Sequence, residues 1–543
     1  MLTGLKIVIA QTNPTVGNIA ANTDLILKHW KTHEDQSDLI VFSELILSGY
    51  PPEDLILKPS FIDHCHAAVE TLKTQSAAFD CAALIGTPYY GDDGQVYNTA
   101  LLIHDGEIIG RADKHHLPNY GVFDEKRTFT RGDLPEPISY KNHKLGVMIC
   151  EDLWHKDVAK HLKSAGAEML IALNGSPYET NKHNERLSHA KARVSETGLP
   201  LLYVNQVGGQ DELVFDGASF AMNEGGDIAD QAPIFEEHIA PLSFITHDLP
   251  DTHEQIYRAC VLGLRDYVHK NGFSGVVLGL SGGIDSAVAA IMARDAVGAQ
   301  NLDCIMMPSA FTSQDSLYDA QTLATRLGCT YDIIPITEPL AAFENIFAQT
   351  SPDSTRAGLA GGGAQPLKGV THENIQSRIR GVTLMALSNS SGKILLTTGN
   401  KSEMATGYAT LYGDMCGGYN PLKDIYKSKL YDMAKTVAAI KDVIPERIVT
   451  RPPTAELKDD QTDQDTLPDY DVLDAILKCL IEREMSLEDT AAKTKQDAAL
   501  VLRVATMLDR NEYKRSQAAP GTKITPKSFG RDRRYPMTNG FKG

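Results

Sequence analysis

The sequence predicts an α/β protein built from two domains, and three observations carry that prediction. Its 543 residues exceed what one hydrophobic core usually serves. Short β-branched runs alternate with amphipathic segments in two separate blocks, the pattern of layered sheets and helices. Between the blocks, "IFEEHIAPLSFITHDLPDTHEQ" carries prolines and acidic residues without sustained periodicity, which puts the boundary near residue 250 and the domains at 1–250 and 251–543.

In the first block the strand candidates are "LKIVIAQ", "DLIVFSE", "AALIGTPY", "TALLIHDGE", "LGVMICED", "EMLIALN" and "LPLLYVNQ", spread from Leu5 to Gln206. Helical patterns such as "NIAANTDLILKHWKTH" lie between several of them. The second block offers "GVVLGLS", "LDCIMMPS", "YDIIPIT" and "GKILLTTGN" with helical segments between, the βαβ signature of a parallel sheet. The stretch "TSPDSTRAGLAGGGAQPLKGVT" is too rich in Gly, Pro, Ser and Thr to bury much, and is expected to form a mobile surface loop or a lid over substrate.

Composition narrows the class. Apolar residues make up 42% and charged residues 22%, ordinary for a globular protein. A formal net charge of -18 repels nucleic acid and anionic membranes at long range, so neither is expected as a partner. The basic tail "KSFGRDRRYP" then reads as a local cluster that meets phosphate or a neighbouring subunit, or as a solvated terminus. Eight cysteines are scattered with no CxxC pair, which argues against a zinc site or a disulfide framework. No apolar stretch approaches the length of a membrane span, and "MLTGLKIVIAQTNP" lacks the pattern of a signal peptide; the expectation is a cytoplasmic protein.

Chemistry concentrates first in "GVVLGLSGGIDSAVAAIMARDA". It reads as a buried strand, a tight turn and a helix, with Gly282 and Gly283 letting backbone N–H groups converge where the helix dipole favours an anion. No lysine follows the glycines, so this is not a Walker A loop. Ser281 and Ser286 supply hydroxyls, and Asp285 a carboxylate suited to Mg2+. A glycine turn serving only strand-to-helix packing is the plainer alternative.

"SGGIDS" after a strand resembles the pyrophosphate loop of the ATP pyrophosphatases, which cleave ATP between its α- and β-phosphates. Downstream, "ENIQSRIRG", "LLTTGNKSEMATGYATLYGDMCGGYNPLKD", "RPPTAELKDDQTDQDTLPDYDVLD" and "NEYKR" resemble, in order, the NAD+ synthetase branch of that family. The resemblance implies a doubly wound parallel-sheet domain of the adenine nucleotide alpha hydrolase-like type. It implies ATP as co-substrate, nicotinic acid adenine dinucleotide as acceptor, Mg2+ as cofactor and a homo-oligomer. By position it assigns Gly279, Leu280, Ser281, Gly282, Gly283, Asp285, Ser286, Thr398, Lys427 and Thr454 to ATP, and Asp285 and Glu403 to Mg2+. Asn374, Arg378, Glu403 and Lys514 fall to the dinucleotide. Without the resemblance, Asn374 reads as a helix cap, Arg378 as a solvated helix face and Glu403 as a first-turn acid.

The first block carries a second constellation. "VFSELILSGYPPEDL" puts Glu44 at the end of a strand, "ADKHHLPNYGVFDE" puts Lys114 at the start of a loop, and "VMICEDLW" puts Cys150 at the end of an apolar strand. A buried strand cysteine taken alone is inert. Together the three resemble the glutamate, lysine and cysteine of the nitrilase and amidase family, and "NGSPYETNK" fits its glutamine-using branch. The resemblance implies a four-layer α-β-β-α sandwich with Cys150 as nucleophile, Glu44 as base and Lys114 lowering the thiol pKa and stabilising the oxyanion. Tyr120, Ser176 and Lys182 match positions that hold the glutamine, and Glu125 lies near the family's second carboxylate or is a loop charge. Adjacent His115 and His116 are not expected to bind metal, because neighbours in an extended loop point apart and no third ligand is spaced to help.

The two halves combine into ATP-dependent amidation fed by glutamine-derived ammonia. Two alternatives remain open from sequence: a different acceptor such as a purine nucleotide, and a non-catalytic sensor that binds glutamine and ATP.

Overall fold

The computed structural model describes residues 4–349, 367–458 and 461–541, so the Gly-rich segment expected to form a loop or lid lies mostly outside the described residues. The chain divides into two compact units, Met1–Asp251 and Thr252–Gly543.

In the first unit the strands run Ile7–Gln11 (β1), Leu39–Phe42 (β2), Ala82–Tyr90 (β3), Val96–His104 (β4), Glu107–Asp113 (β5), Ile138–Tyr140 (β6), His143–Ile149 (β7), Met169–Asn174 (β8), Leu201–Asn205 (β9), Val207–Gln210 (β10), Leu213–Asp216 (β11), Phe220–Met222 (β12), Ile228–Gln231 (β13) and His238–Pro241 (β14). Two six-stranded sheets form, ordered β14-β1-β2-β3-β4-β5 and β13-β12-β9-β8-β7-β6, and β10 pairs with β11 as a ribbon. Each sheet has a parallel core, β1-β2-β3 in one and β7-β8-β9 in the other, flanked by antiparallel strands.

The period of two along these strands builds the layers. Ile7, Ile9, Leu39 and Val41 pack against Val147, Ile149, Ile171 and Leu173 of the other sheet in one continuous core. Their neighbours point the other way. Val8, Ile40 and Phe42 meet Ile26, Trp30, Val69 and Leu72 from the helices Ile19–His33 and Pro59–Ser76. Met148, Leu170 and Ala172 meet Val158, Leu162, Ala190 and Val194 from the helices Lys156–Ser164 and Lys182–Thr197. The result is the four-layer α-β-β-α sandwich.

The second unit holds a four-stranded parallel sheet of Val276–Gly279 (β15), Leu302–Met306 (β16), Thr330–Ile333 (β17) and Ile394–Leu396 (β18), ordered β17-β16-β15-β18. The strand expected over "YDIIPIT" stops before Pro335, which has no N–H to give the ladder. The chain moves outward from β15 through β16 to β17 and then returns to β18 on the other side of β15. That reversal opens a crevice at the carboxyl ends of β15 and β18, where doubly wound folds bind ligands. Val277, Ile305 and Leu395 pack with Ile379 and Leu384 of the helix Val370–Ser391, while the helix Ile284–Val297 packs on β15 and β16. A helical cluster including Tyr470–Ile481 and Ala498–Arg510 supports the short helix Lys401–Thr406.

Among the described residues no helix is long and apolar enough to cross a membrane. All eight cysteines are free.

Candidate active sites

In the first unit Glu44, Lys114 and Cys150 each leave the end of a strand: Glu44 two residues after β2, Lys114 directly after β5 and Cys150 directly after β7. The fold brings them together. Lys114 Nζ lies 2.7 Å from Glu44 Oε1 and 2.8 Å from Glu125 Oε2, with the Lys114 and Glu44 side chains fully buried. Glu44 Oε1 also accepts from Asn98 Nδ2 at 2.8 Å, and Oε2 accepts the Gly175 N–H at 2.8 Å, so both oxygens are fixed. Glu125 accepts from the Tyr50 hydroxyl at 2.9 Å.

Cys150 sits in a sharp turn with φ +44°, a strained conformation for a residue with a Cβ. Such turns lift a nucleophile clear of its strand. Burial, and next the charge of Glu44, push its thiol well above the ordinary value, and Lys114 pulls it down without prevailing. Lys114 thus acts on the thiol in the direction the resemblance implies, against the larger opposing effects of burial and Glu44. Burial opposes the charge on Lys114, and Glu125 and Glu44 more than restore it. Burial pushes the Glu125 carboxyl up to about 7, with Glu44 adding and Lys114 opposing.

The three residues expected to hold glutamine sit differently. The Tyr120 hydroxyl donates to Glu151 Oε2 at 2.8 Å, and Tyr120 and Cys150 interact electrostatically. Ser176 is buried; its N–H donates to Asn205 Oδ1 at 2.9 Å, and its hydroxyl accepts from Arg186 Nε at 3.1 Å. Arg186 is itself locked by both oxygens of Asp216 at 2.8 Å. Lys182 opens the helix Lys182–Thr197, with Nζ 4.4 Å from the centroid of the Trp154 ring.

His115 and His116 depart from expectation. Their rings lie 4.7 Å apart, and Asp157 brings a third ligand atom, the three within 4.8 Å of one another. Arg131 nonetheless occupies His115 Nε2, while Nδ1 of the same ring bonds the Gly132 carbonyl at 2.8 Å. The ring has no nitrogen left for a metal, and a guanidinium stands where the cation would go.

In the second unit "SGGIDS" follows β15 and opens the helix Ile284–Val297. Gly282 has φ +83°, and a Cβ there would lie 2.7 Å from the Ser316 carbonyl oxygen, so only glycine fits. The Ser281 and Ser286 hydroxyls are 3.0 Å apart and accept the Ser281 and Gly283 N–H groups, which holds those donors at the helix entrance.

Asp285 and Glu403 converge from the two strands that border the crevice. Asn400, just after β18, donates from Nδ2 to Asp285 Oδ1 at 2.8 Å, and its own Oδ1 caps the Glu403 N–H at 3.0 Å. Lys427 Nζ is ion-paired to Asp285 and lies 3.3 Å from Glu403 Oε1. Burial, with the charges of Asp285 and Asp463, pushes Glu403 up to about 8 against the pull of Lys427. Asp463, held by the Tyr470 hydroxyl at 2.7 Å, is likewise raised by burial. Asp285 and Asp463 against the one Lys427 ammonium leave excess negative charge, and Glu403 adds further oxygen donors, the chemistry that suits a hard divalent cation.

The other expected contacts fall into two groups. Asn374 accepts from Thr410 Oγ1 at 3.0 Å, Arg378 donates to the Leu411 carbonyl at 3.2 Å, and Lys514 donates to the Gly407 and Ala409 carbonyls at 2.8 and 2.7 Å. All three converge on the segment 407–411. Asn374 lies inside the helix Val370–Ser391 and does not cap it. Thr454 stands apart from the Asp285 cluster, bonded through Oγ1 to the Glu456 N–H at 3.2 Å. Glu456 in turn accepts from Ser313 and Ser316, so the Thr454 segment abuts the glycine loop through Ser316. Thr398 is half-buried beyond β18. In the basic tail Arg533 is buried and paired to Glu512 within the same unit, so that arginine faces inward.

Sequence reasoning missed Tyr50, Asn98, Asp152, Asn400 and Asp463. All but Asn98 lie inside the stretches that carry the resemblance, yet their partners Glu125, Glu44, His115, Asp285 and Glu403 are distant in sequence, so no local pattern marks them.

The chain matches the carbon-nitrogen hydrolase family over residues 6–256 and the NAD synthase family over 256–518. It is 47% identical to the glutamine-dependent NAD(+) synthetase of Rhodobacter capsulatus over 99% of each chain, and 43% identical to that of Acinetobacter baylyi with the same coverage. A solved structure of glutamine-dependent NAD+ synthetase from Acinetobacter baumannii in complex with ADP aligns with TM-score 0.76 at 40% identity over 99% of both chains. A glutamine-dependent NAD(+) synthetase from Cytophaga hutchinsonii, 21% identical over 99% of this chain and 98% of its own, shares the fold with TM-score 0.81.

Proposed function

The chain belongs to the family of glutamine-dependent NAD(+) synthetases, and from that premise we propose how its residues divide the reaction. The enzyme amidates nicotinic acid adenine dinucleotide to NAD+ at the expense of ATP, with glutamine as nitrogen donor. Membership in this family sets aside both the purine-nucleotide acceptor and the non-catalytic sensor.

In the first unit Glu44 removes the Cys150 proton as Sγ attacks the carboxamide carbon of glutamine. Burial and the charge of Glu44 disfavour a free thiolate, and Glu44 is the base placed to take the proton. Lys114 stabilises the tetrahedral oxyanion. Collapse breaks the C–N bond, ammonia leaves with the proton that Glu44 returns, and the glutamyl thioester is hydrolysed by water with Glu44 again as base. Tyr120, Ser176 and Lys182 hold the glutamine.

In the second unit a carboxylate oxygen of the nicotinate attacks the α-phosphorus of ATP, and pyrophosphate departs into the loop from Gly279 through Ser286. Ammonia then attacks the adenylated carbonyl carbon and AMP leaves. Asp285 and Glu403 are the residues that would hold Mg2+, which supplies charge neutralisation for the phosphates. Lys427, Thr398 and Thr454 serve ATP; Asn374, Arg378, Glu403 and Lys514 serve the dinucleotide. We place the enzyme in the cytoplasm as a homo-oligomer.

The observation that carries the reading is the buried Glu44–Lys114 pair at 2.7 Å, coupled electrostatically to Cys150. Purified protein given ATP, Mg2+, glutamine and nicotinic acid adenine dinucleotide should yield NAD+, AMP, pyrophosphate and glutamate. Absence of NAD+ or of glutamate would refute it.

A further inference from the structure

We propose that Asp152 is a positioning residue for glutamine hydrolysis: its carboxylate ties the turn carrying Cys150 to the loop carrying Lys114, and so sets nucleophile and cation in register. The inference rests on the reading of Cys150 and Lys114 as the glutamine-hydrolysing centre.

Three backbone bonds define the tie. Asp152 Oδ1 accepts the N–H groups of His115 and His116 at 3.1 and 2.8 Å, the two residues that follow Lys114. Oδ2 accepts the N–H of Ile149 at 3.1 Å, the residue that precedes Cys150. One carboxylate thus holds both segments, and it is 1% exposed. The bonds act where the backbone needs them, because Cys150 at φ +44° persists only if its surroundings fix it. Burial lifts the Asp152 carboxyl to about 7, and the three N–H groups together with Lys114 work to keep it ionised. A second tie between the same segments, the His116–Asp157 contact at 2.9 Å, has Asp157 half in solvent and so contributes little.

The chemistry of the side chain makes the idea testable with an isosteric change. A carboxylate accepts on both oxygens, whereas an asparagine offers one accepting oxygen and one NH2 group. Whichever way Asp152→Asn turns, one arm of the tie becomes donor against donor. The expected result is a fall of about 10- to 100-fold in kcat for glutamate release, the size that misplacement by a fraction of an ångström to an ångström produces. KM for glutamine should stay within about twofold, since no contact with substrate is lost. Alkylation of Cys150 by iodoacetamide should require higher pH, as Lys114 drifts from the thiol.

Asp152→Glu keeps the charge and displaces it by one methylene; it should fold and show the same kcat loss. Ammonium-supported NAD+ synthesis should remain unchanged in both variants. Wild-type kcat and an unshifted alkylation profile in Asp152→Asn would overturn the proposal, as would a rise in KM alone. Equal loss of ammonium-supported synthesis in both variants would overturn it too, by showing a role in the fold at large. Cys150→Ala measured alongside separates the two levels. Glutamate release that survives Cys150→Ala refutes the reading of the site, whereas an inactive Cys150→Ala beside an unimpaired Asp152→Asn refutes only the tie.

Discussion

Lys114 Nζ stands between Glu44 and Glu125, 2.7 Å from the one and 2.8 Å from the other, as the cation shared by two buried carboxylates. Two negative charges in so dry a place are tolerable only with that ammonium between them. Replacing it by Lys114→Met should abolish glutamate release and cost the first unit about 3–5 kcal/mol of stability at pH 8. The defect should shrink at pH 5, where a proton replaces the missing cation on one carboxylate. Denaturant titrations at the two pH values check this; an equal loss at both would contradict it.

The synthetase site predicts a stabilising substitution. Glu403 is raised from 4.5 to about 8 by burial, with neighbouring carboxylates adding to the shift. Below pH 4.5 the group is protonated in both folded and unfolded chains and costs nothing. Between 4.5 and 8 the unfolded chain releases the proton while the folded chain keeps it, so stability falls as pH rises, and the full deficit stands above about 8. Glu403→Gln should therefore melt at a higher temperature than wild type at pH 8 and at the same temperature as wild type at pH 4. The same variant should lose NAD+ synthesis. Calorimetry across pH in metal-free buffer gives the answer.

Gly282→Ala tests the glycine loop by sterics. Positive φ and a Cβ placed 2.7 Å from the Ser316 carbonyl oxygen would distort the turn proposed to receive pyrophosphate. Strain of ~1–2 kcal/mol corresponds to roughly a tenfold fall in kcat/KM for ATP. Glutamate release, assayed separately, should be unaffected.

Asp285→Asn should lower NAD+ synthesis at least ~100-fold whichever nitrogen source is supplied, because it weakens the charge set proposed to hold Mg2+ against the phosphates. Activity retained with ammonium chloride would remove Asp285 from that role. Glutamate release again serves as the control.

What the sequence made legible were features encoded locally. The parallel strands announced themselves as unbroken β-branched runs, and "SGGIDS" carried its turn, its hydroxyls and its acid within six residues. Glu44, Lys114 and Cys150 were found through their joint resemblance to the nitrilase and amidase family, since a cysteine at the end of a strand is by itself ordinary. The strands β10 to β14 were not anticipated: they are three or four residues long, and several carry glycine, acids or proline. Partners acting at long range left no local trace. Asn98 reaches Glu44 across 54 residues and Asn400 reaches Asp285 across 115, each contact created only when strands distant in sequence become neighbours. Asp152 looked like one acid among several in "CEDLW", and its three N–H partners exist only in the folded turn and loop. The adjacent histidines show the converse: extended-chain geometry predicted divergent side chains, and the loop after β5 brings the rings to 4.7 Å.

The division of labour between the two units is tested most directly by measuring NAD+ formation in Cys150→Ala with glutamine and, separately, with ammonium chloride as the nitrogen source. The account predicts no product with glutamine and wild-type rates with saturating ammonium. Product formed from glutamine, or none formed from ammonium by a folded variant, would contradict it.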